Sequence, residues 1–285
     1  MNITFLLRLW PVYGGGETVT ICLANEMIKR GWCDKFTTRF PDADKVTGYL
    51  KEYIQENDIH YLINQWWPVE YIRGIRGRYK TKIVTCLHQA LYTPMIEGTG
   101  INGFLKKRCT SLYKFWKKRH SCRQVTRFLP HTDKYIFLSP AFQRQYEQFA
   151  NHENTNRQLG AIPNPLVYPN EIRPEDFQSK EKTVLLVGRM VQIQKRITRA
   201  IKIWSAIEND PRLDEWNFRI VGEGPDLAMY KQLAQTLGLK RISFEGFRNP
   251  QPYYRQAAIF MMTSAFEGFP MTLVEAQQCG VVPVV

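Results

Sequence analysis

The feature that most constrains this chain is an alternation of strand-like and helix-like segments that is interrupted once and then restarts. Strands that alternate with helices are typical of parallel, doubly wound sheets. The interruption is Ala161–Pro174, which contains four prolines, a density that breaks regular structure. The sequence therefore predicts an α/β protein with one doubly wound domain in residues 1–165 and a second in residues 166–285, joined by a proline-rich linker.

The periodicity of the apolar residues places the individual elements. Strands are predicted at Ile3–Trp10, His60–Asn64, Lys82–Leu87, Ile136–Ser139, Thr183–Val187, Asn217–Val221, Arg241–Glu245, Ile259–Thr263 and Val281–Val285. Helices are predicted at Glu17–Arg30, Val46–Glu56, Pro140–Phe149, Thr198–Asn209, Leu227–Leu237, Pro252–Gln256 and Leu273–Gln278. The alternation stops after the last strand with no capping helix, so we expect a second domain that is incomplete.

Length and composition fit a globular protein of two domains. The chain has 285 residues, of which 44% are apolar and 23% charged. No apolar run approaches the ~20 residues that span a bilayer. The apolar start Met1–Trp10 is interrupted by Arg8 and followed by glycines, which indicates a first strand rather than a signal peptide. Six scattered cysteines without a CxxC pair favour reduced thiols in a cytosolic protein.

Positive charge is concentrated in the first half of the chain. Residues 1–165 carry 24 Lys+Arg against 13 Asp+Glu, a net charge of +11, whereas residues 166–285 carry 15 against 13, a net charge of +2. The segment Phe104–Arg127 holds nine cations, no acid and interleaved bulky apolar residues. This mixture is typical of a helix on an anionic membrane surface. The alternative is a solvated helix that packs its aromatic side chains on the core. No nucleic-acid motif accompanies the charge, so we expect no nucleic acid as partner.

Two glycine-containing motifs follow strands of the second half. In the first, Gly188 and Arg189 end a strand and Lys195 comes six residues after Arg189. Ligands bind at the carboxyl ends of strands in open α/β sheets, and these two cations could together hold a diphosphate without a metal. The alternative for this motif is a pair of solvated surface cations. The second motif, the GEGP sequence that begins at Gly222, allows a tight turn beside a ligand or simply connects a strand to a helix.

The third motif pairs two carboxylates eight residues apart, Glu267 and Glu275, around a Gly-Phe-Pro turn. The turn opens a helix, so the amides of Gly268 and Phe269 lie where the helix dipole favours an anion. Glu275 is placed to accept hydrogen bonds from a diol such as a ribose, and Glu267 from sugar hydroxyls. An isolated carboxylate pair is usually a solvated face, but a pair framed by this turn is more specific.

Together these motifs, with Glu245-Gly246-Phe247, resemble the donor-binding half of the retaining glycosyltransferases of family four. That family has the GT-B fold, in which two Rossmann-like domains face each other across a cleft. In the first half, Gly14-Gly15-Gly16-Glu17 resembles the acceptor-side glycine loop of the family, His88 its active-site histidine, and Pro163-Asn164-Pro165 the turn into its second domain. One departure is Arg196, where members of the family often have glycine.

The resemblance also implies the roles of individual residues. It implies that His88 and Glu267 are catalytic residues beside the transferred sugar. It implies donor-binding roles for the glycines, cations and turn residues of the motifs, which are Gly15, Gly16, Gly188, Arg189, Lys195, Gly222, Gly268, Phe269, Pro270, Leu273 and Glu275. The two cations would neutralise the diphosphate leaving group, and no metal or other cofactor would be needed. The reaction would pass through an oxocarbenium-like state with retention of configuration.

The function implied by this resemblance is transfer of a sugar from a nucleotide sugar to a glycan or lipid-linked acceptor. The expected role is cell-surface polysaccharide or glycoconjugate biosynthesis, in the cytoplasm and at the inner face of the plasma membrane. Two other functions stay open at this point: a truncated remnant that binds without catalysis, and a nucleotide-sugar epimerase with the same fold. An NAD-dependent oxidoreductase is disfavoured, because no GxGxxG follows the first strand.

Overall fold

The computed structural model describes residues 1–6, 15–32, 36–37, 46–65, 68–91, 110–151, 157–168 and 174–285. The chain divides into two compact units, Met1–Pro165 and Leu166–Val285. Four predicted features lie wholly or partly outside the described residues: the end of the first strand at residues 7–10, Gly14 of the glycine loop, residues 104–109 of the basic segment, and residues 169–173 of the linker. Among the described residues, no helix is both long enough and apolar enough to cross a membrane.

The first unit is built on a six-stranded sheet in the order β2-β1-β3-β4-β5-β6, with all neighbouring strands parallel. Its strands are β1 (Ile3–Leu6), β2 (Phe36–Thr37), β3 (Tyr61–Asn64), β4 (Lys82–Cys86), β5 (Lys134–Phe137) and β6 (Leu159–Ala161). Its helices are α1 (Gly15–Lys29), α2 (Val46–Glu56), α3 (Val69–Ile72), α4 (Thr110–Phe128) and α5 (Pro140–Ala150).

Alternating side chains of the first sheet pack on its two faces, because successive residues of a strand point to opposite sides. On one face, Leu62 and Tyr135 belong to a buried cluster that includes Val125 of α4. On the other face, Ile63 belongs to a smaller cluster with Ala24 of α1. A parallel sheet that is apolar on both faces matches the near-continuous apolar strands of the sequence.

The second unit is built on a five-stranded parallel sheet in the order β11-β10-β7-β8-β9. Its strands are β7 (Glu181–Val187), β8 (Asn217–Val221), β9 (Ile242–Gly246), β10 (Ala257–Met261) and β11 (Val282–Val284). Its helices are α6 (Pro174–Gln178), α7 (Gln192–Lys195), α8 (Ile197–Glu208), α9 (Leu227–Thr236), α10 (Gln251–Gln256) and α11 (Met271–Gln278).

Helices cover the second sheet from both sides. Trp204 of α8 and Tyr230 of α9 are fully buried in one cluster with Phe218 of β8. On the other side, Tyr254 of α10 and Ala276 of α11 are buried in a second cluster. The prediction of an α/β protein with parallel sheets is confirmed.

Strand order in the second sheet marks where a ligand would bind. The chain runs from β7 outward to β8 and β9, and then crosses to β10 on the other side of β7. The connections that leave β7 and β10 therefore diverge, which opens a crevice at the carboxyl ends of these two strands. The loops after β7 and β10 carry Gly188 and Glu267, so this topological switch point contains two of the predicted site residues.

Most predicted elements are present, with ends that differ by a few residues. Strand β10 covers Ala257–Met261, two residues before the predicted span Ile259–Thr263. Ala161, predicted as the start of the linker, is the last residue of β6. The sequence does not predict strands β2 and β6 or the short helices α3, α6 and α7, because segments of two to five residues are too short to show a periodicity.

Candidate functional site

Backbone hydrogen bonds join the loops that follow β7, β8 and β9. The Gly188 amide donates to the Val221 carbonyl at 3.0 Å, and the Met190 amide donates to the Glu223 carbonyl at 2.8 Å. One strand further, the Gly222 amide donates to the Gly246 carbonyl at 2.8 Å. The carboxyl edge of this part of the sheet is therefore a connected backbone surface.

Close contact between two of these loops explains the glycines of the GEGP motif. Gly222 has a φ of +137°, and a Cβ atom there would overlap the Gly188 carbonyl oxygen. Gly224 has a φ of +156°, and a Cβ atom there would lie 2.6 Å from the Met190 carbonyl oxygen. Backbone packing alone therefore requires glycine at both positions. The predicted contact of Gly222 with a ligand stays a prediction.

An ion pair crosses the switch point. The Lys195 ammonium lies 2.7 Å from Oε1 of Glu267, and each side chain is 17% exposed. The Lys195 side chain folds over Gly188, since a Cβ atom on Gly188 would lie 3.5 Å from Cε of Lys195. The structure thus brings Gly188, Lys195 and Glu267 together, although 72 residues separate the two charged residues along the chain.

Hydrogen bonds outside the ion pair hold its two loops together. The Ala265 amide donates to the Gln194 carbonyl at 2.7 Å. The Thr263 hydroxyl donates to the Lys195 carbonyl at 3.0 Å, and the Gln194 amide group donates to Oε2 of Glu267 at 3.4 Å. Backbone geometry, rather than the reach of two flexible side chains, sets the distance between the two charges.

Two arginines lie near Lys195 in the sequence, Arg189 before it and Arg196 after it. Arg189 is notable for its exposure and Arg196 for its backbone conformation. Arg189 is exposed at the end of β7, and no described residue forms an ion pair or hydrogen bond with its guanidinium. Arg196, the position that departs from the family pattern, has φ 49° and ψ 42°, in the left-handed region. Its backbone ends α7 and begins α8. The turn thus has the conformation that favours glycine, although the residue is arginine.

The Gly-Phe-Pro turn opens α11, as the sequence predicts. Pro270 occupies the N-cap position, and no side chain caps the helix. No described residue accepts a hydrogen bond from the amides of Gly268 or Phe269. The predicted anion site at this helix N-terminus stays a prediction. Leu273, predicted to contact the donor, is partly buried and packs against the core cluster on that side of the sheet.

Glu275 has a different partner from Glu267. It is 8% exposed and accepts a hydrogen bond from the Tyr254 hydroxyl at 3.0 Å. Burial raises the pKa of the Glu275 carboxyl, and the hydrogen bond from Tyr254 partly opposes that shift. The two carboxylates of the motif are therefore held separately, one by a cation and one by a phenol. The ribose contact of Glu275 stays a prediction.

In the first unit, His88 lies just after β4. Its Nε2 contacts the side-chain oxygen of Gln65, which follows β3. Burial lowers the pKa of the imidazole to about 4, and the side chain of Asn164 opposes that shift. His88 is therefore neutral at pH 7, which suits a hydrogen-bonding role rather than a charged one. Gly15 and Gly16 are the first two residues of α1.

An apolar groove of about 320 Å³ lies beside His88 on the first unit. Its walls come from α1, through Val19 and Leu23, and from the sheet, through Ile63 and Val84. Gln65, His88 and Asn164 supply polar atoms to its lining. A mostly apolar pocket with a few polar groups is typical of a small-molecule site.

Sequence reasoning missed several residues that shape these sites. Three of them belong to no motif and act through contacts between distant segments. They are Gln65 beside His88, and Gln194 and Thr263 around the ion pair. Tyr254, which holds Glu275, lies in a predicted helix, but nothing in its spacing indicates its partner. Only Gln194 had a sequence signal, its position directly before Lys195.

Comparison with known families follows the same division of the chain. Residues 167–285 match the family model described as "Glycosyl transferases group 1". This second part of the chain is therefore similar to the group 1 glycosyltransferases. The match covers nearly the whole second unit, including Gly188, Lys195, Glu267 and Glu275.

Two curated relatives of this chain come from bacteria. The lipopolysaccharide 1,6-galactosyltransferase of Salmonella typhimurium is 26% identical over 160 residues, which are 54% of this chain and 42% of that protein. The amylovoran biosynthesis glycosyltransferase AmsD of Erwinia amylovora is 30% identical over 117 residues, which are 40% of this chain and 32% of that protein. The matched region thus spans less than half the length of these relatives.

Solved structures with a similar fold extend over the whole chain. The structure of Anabaena Alr3699/HepE in complex with UDP and glucose has a TM-score of 0.67 at 17% identity, and the similarity covers 100% of this chain and 80% of that one. The lipopolysaccharide outer core galactosyltransferase WaaB has a TM-score of 0.61 at 18% identity, covering 99% of this chain and 80% of that one. The fold of this chain is therefore the GT-B fold of those structures.

Proposed function

We propose that this protein transfers a sugar from a nucleotide sugar to a glycan or glycolipid acceptor in the biosynthesis of cell-surface polysaccharide. The observation that carries the proposal is the Lys195–Glu267 ion pair above Gly188 at the switch point of a group 1 glycosyltransferase domain. A cation for phosphate and a carboxylate for sugar hydroxyls lie there within 2.7 Å of each other. In a nucleotide sugar the diphosphate and the sugar are adjacent, so one bound donor could contact both groups.

The charged site residues of the second unit have separate roles in the proposed reaction. Lys195 and the exposed Arg189 bind the diphosphate and stabilise the charge that develops as it leaves, without a metal. Glu275 binds the ribose, and Glu267 with the backbone of Gly268 and Phe269 orients the sugar. Cleavage of the anomeric bond gives an oxocarbenium-like state, and we propose that the acceptor then attacks with retention of configuration.

The first unit is proposed to bind the acceptor. His88 is neutral and partly buried, so it can donate or accept a hydrogen bond without bringing a charge beside the cationic sugar. Gly15 and Gly16, at the first turn of α1, supply backbone close to the donor. The relatives named as lipopolysaccharide and amylovoran enzymes support a surface-polysaccharide acceptor, and the neighbour solved with UDP and glucose supports a nucleotide-sugar donor.

The donor proposal is tested by thermal shift with a panel of nucleotide sugars, because a ligand that binds the native state raises the melting temperature. We expect one donor to raise it, and we expect release of nucleoside diphosphate only when a glycan or lipid-linked acceptor is added. Consumption of the donor without an acceptor would favour an epimerase. Binding without turnover under any acceptor would favour a non-catalytic protein, and no binding of any donor would refute the proposal.

Membrane association through the basic segment 104–127 is the second part of the proposal. On α4, Leu112, Trp116, Arg119 and Arg123 recur at intervals of three and four residues and are all exposed, with Leu112 58% and Trp116 55% exposed. Val125, on the opposite side of the helix, is buried in the core. The outward face therefore begins with apolar side chains and continues with cations, which suits an anionic lipid surface.

The location that follows is the inner face of the plasma membrane, where anionic lipids attract basic segments. Changing Arg119 and Arg123 to Gln should weaken binding to anionic vesicles by about 1 kcal/mol per cation, with a smaller effect at high salt. Arg144→Gln, a change of one exposed cation on α5, is the control. Equal sedimentation of parent and double variant with anionic vesicles would contradict the membrane proposal.

A further inference from the structure

The Lys195–Glu267 ion pair is a built element of the second unit. Both side chains are largely buried, and Gln194 donates to the second carboxylate oxygen of Glu267 at 3.4 Å. The backbone bond from Ala265 to Gln194 and the Thr263 bond to Lys195 keep the two loops at a fixed distance. The backbones that carry Lys195 and Glu267 are therefore held close together.

A phosphate that binds at Gly188 must share Lys195 with Glu267. The side chains of Arg189, Lys195 and Glu267 sum to one positive charge, since the carboxylate cancels one of the two cations. In a nucleotide sugar both phosphates are esterified, so each carries one negative charge. In a nucleoside diphosphate the terminal phosphate is a free monoester, which carries about 1.5–2 negative charges at pH 7. The product therefore suffers more repulsion from Glu267 than the donor.

We propose that Glu267 is a specificity-determining residue that competes with phosphate for Lys195 and so disfavours the nucleoside diphosphate product relative to the nucleotide sugar. This proposal rests on the proposed function and gives a role to the Lys195–Glu267 ion pair. Sugar hydroxyls bound to Glu267 compensate its repulsion in the donor complex. The product has no sugar, so only the repulsion is left and the diphosphate leaves.

The test compares the binding of diphosphates by the parent chain and by Glu267→Gln. Gln keeps an oxygen that can accept from Lys195 but removes the negative charge. UDP, GDP, ADP and dTDP are titrated calorimetrically, and the tightest of them is used. We expect the variant to bind it about tenfold more tightly, a change of about 1.4 kcal/mol. The gain should shrink in 0.5 M NaCl because salt screens the lost repulsion. The affinity for the matching nucleotide sugar should rise less or fall.

Glu215→Gln is the matched control. Glu215 also forms an ion pair with a lysine, but its partner Lys182 lies near the start of β7, at the opposite end of the strand from Gly188. This variant should bind the diphosphate as the parent does. If Glu267→Gln fails to fold, Glu267→Asp replaces it, since a shorter carboxylate lies further from Lys195 and should give a smaller gain.

The possible results separate this inference from the proposed function. If the parent binds none of the four diphosphates, the proposed donor site and this inference both fail. If the parent binds one of them and Glu267→Gln binds it equally or less tightly, the inference alone is overturned. An equal gain in Glu215→Gln would also overturn it, because the effect would then be one of total charge.

Discussion

Gly222→Ala tests whether the backbone contact under the candidate site has the geometry described. The Ala methyl group would overlap the Gly188 carbonyl oxygen and lie 3.0 Å from the carbonyl carbon. Both atoms belong to backbone held by the Gly188–Val221 hydrogen bond, so they cannot rotate away. A φ of +137° adds about 1–3 kcal/mol for a residue with a Cβ atom, and forcing the backbone apart adds about 1–3 kcal/mol more. We expect a total loss of about 4 kcal/mol.

The control is Gly238→Ala, at the end of α9. Gly238 has a φ of +68°, but no atom lies within 4 Å of a Cβ atom built there. In Gly238→Ala only the left-handed backbone conformation lowers the free energy of unfolding, by about 1–2 kcal/mol. Melting temperature falls by about 2–4 °C per kcal/mol in chains of this size, so we expect a drop of roughly 10 °C for Gly222→Ala and at most about half of that for the control. Equal drops would refute the argument that packing on Gly188 requires glycine.

Three further predictions follow from individual side chains. Arg189→Ala should lower diphosphate affinity by about 1.5–3 kcal/mol in calorimetry and leave the melting temperature unchanged, because Arg189 is exposed; unaltered affinity would contradict its role. Glu275→Gln should keep the Tyr254 hydrogen bond and the fold but lower donor affinity by a similar amount; a large melting drop with unaltered affinity would make Glu275 structural. For His88, the pKa of about 4 lies below the unfolded value near 6.5, so the unfolded state binds the proton first and stability is lost as pH falls from 6.5 to 4. Between pH 7.5 and pH 5 the parent should lose about 2 kcal/mol more stability to urea than His88→Gln, and equal losses would show that His88 is not buried as described.

The fold could be predicted from the sequence because it depends on local patterns. Apolar periodicity is visible in single segments, so strands such as Asn217–Val221 were placed with the correct ends. The order of the strands within each sheet could not be obtained this way. It depends on which strands pair across 40 or more residues, as β7 does with β10.

The candidate site was predictable only as a set of residue types. The sequence indicates that Lys195 and Glu267 serve a ligand, but not that they pair with each other, because the pairing depends on how the loops after β7 and β10 meet. The carboxylates Glu267 and Glu275, eight residues apart, look like one unit in the sequence. In the structure one belongs to the switch point and the other to the buried core around Tyr254.

Arg196 shows how a residue with a Cβ atom can hold a backbone conformation that favours glycine. A left-handed residue with a Cβ atom costs about 1–2 kcal/mol relative to glycine. Backbone hydrogen bonds hold this conformation: the Arg196 amide donates to the Gln192 carbonyl at 3.1 Å, and the Arg196 carbonyl accepts from the Arg199 amide at 2.8 Å. The Thr263 hydroxyl proton is shared between the Lys195 carbonyl and the Arg196 carbonyl, at 3.0 Å and 3.2 Å. The same turn places Lys195 over Gly188, so any relaxation of Arg196 would also move the ion pair. The strain is therefore retained because the surrounding contacts, including those of the loop after β10, specify the turn more strongly than the residue type does.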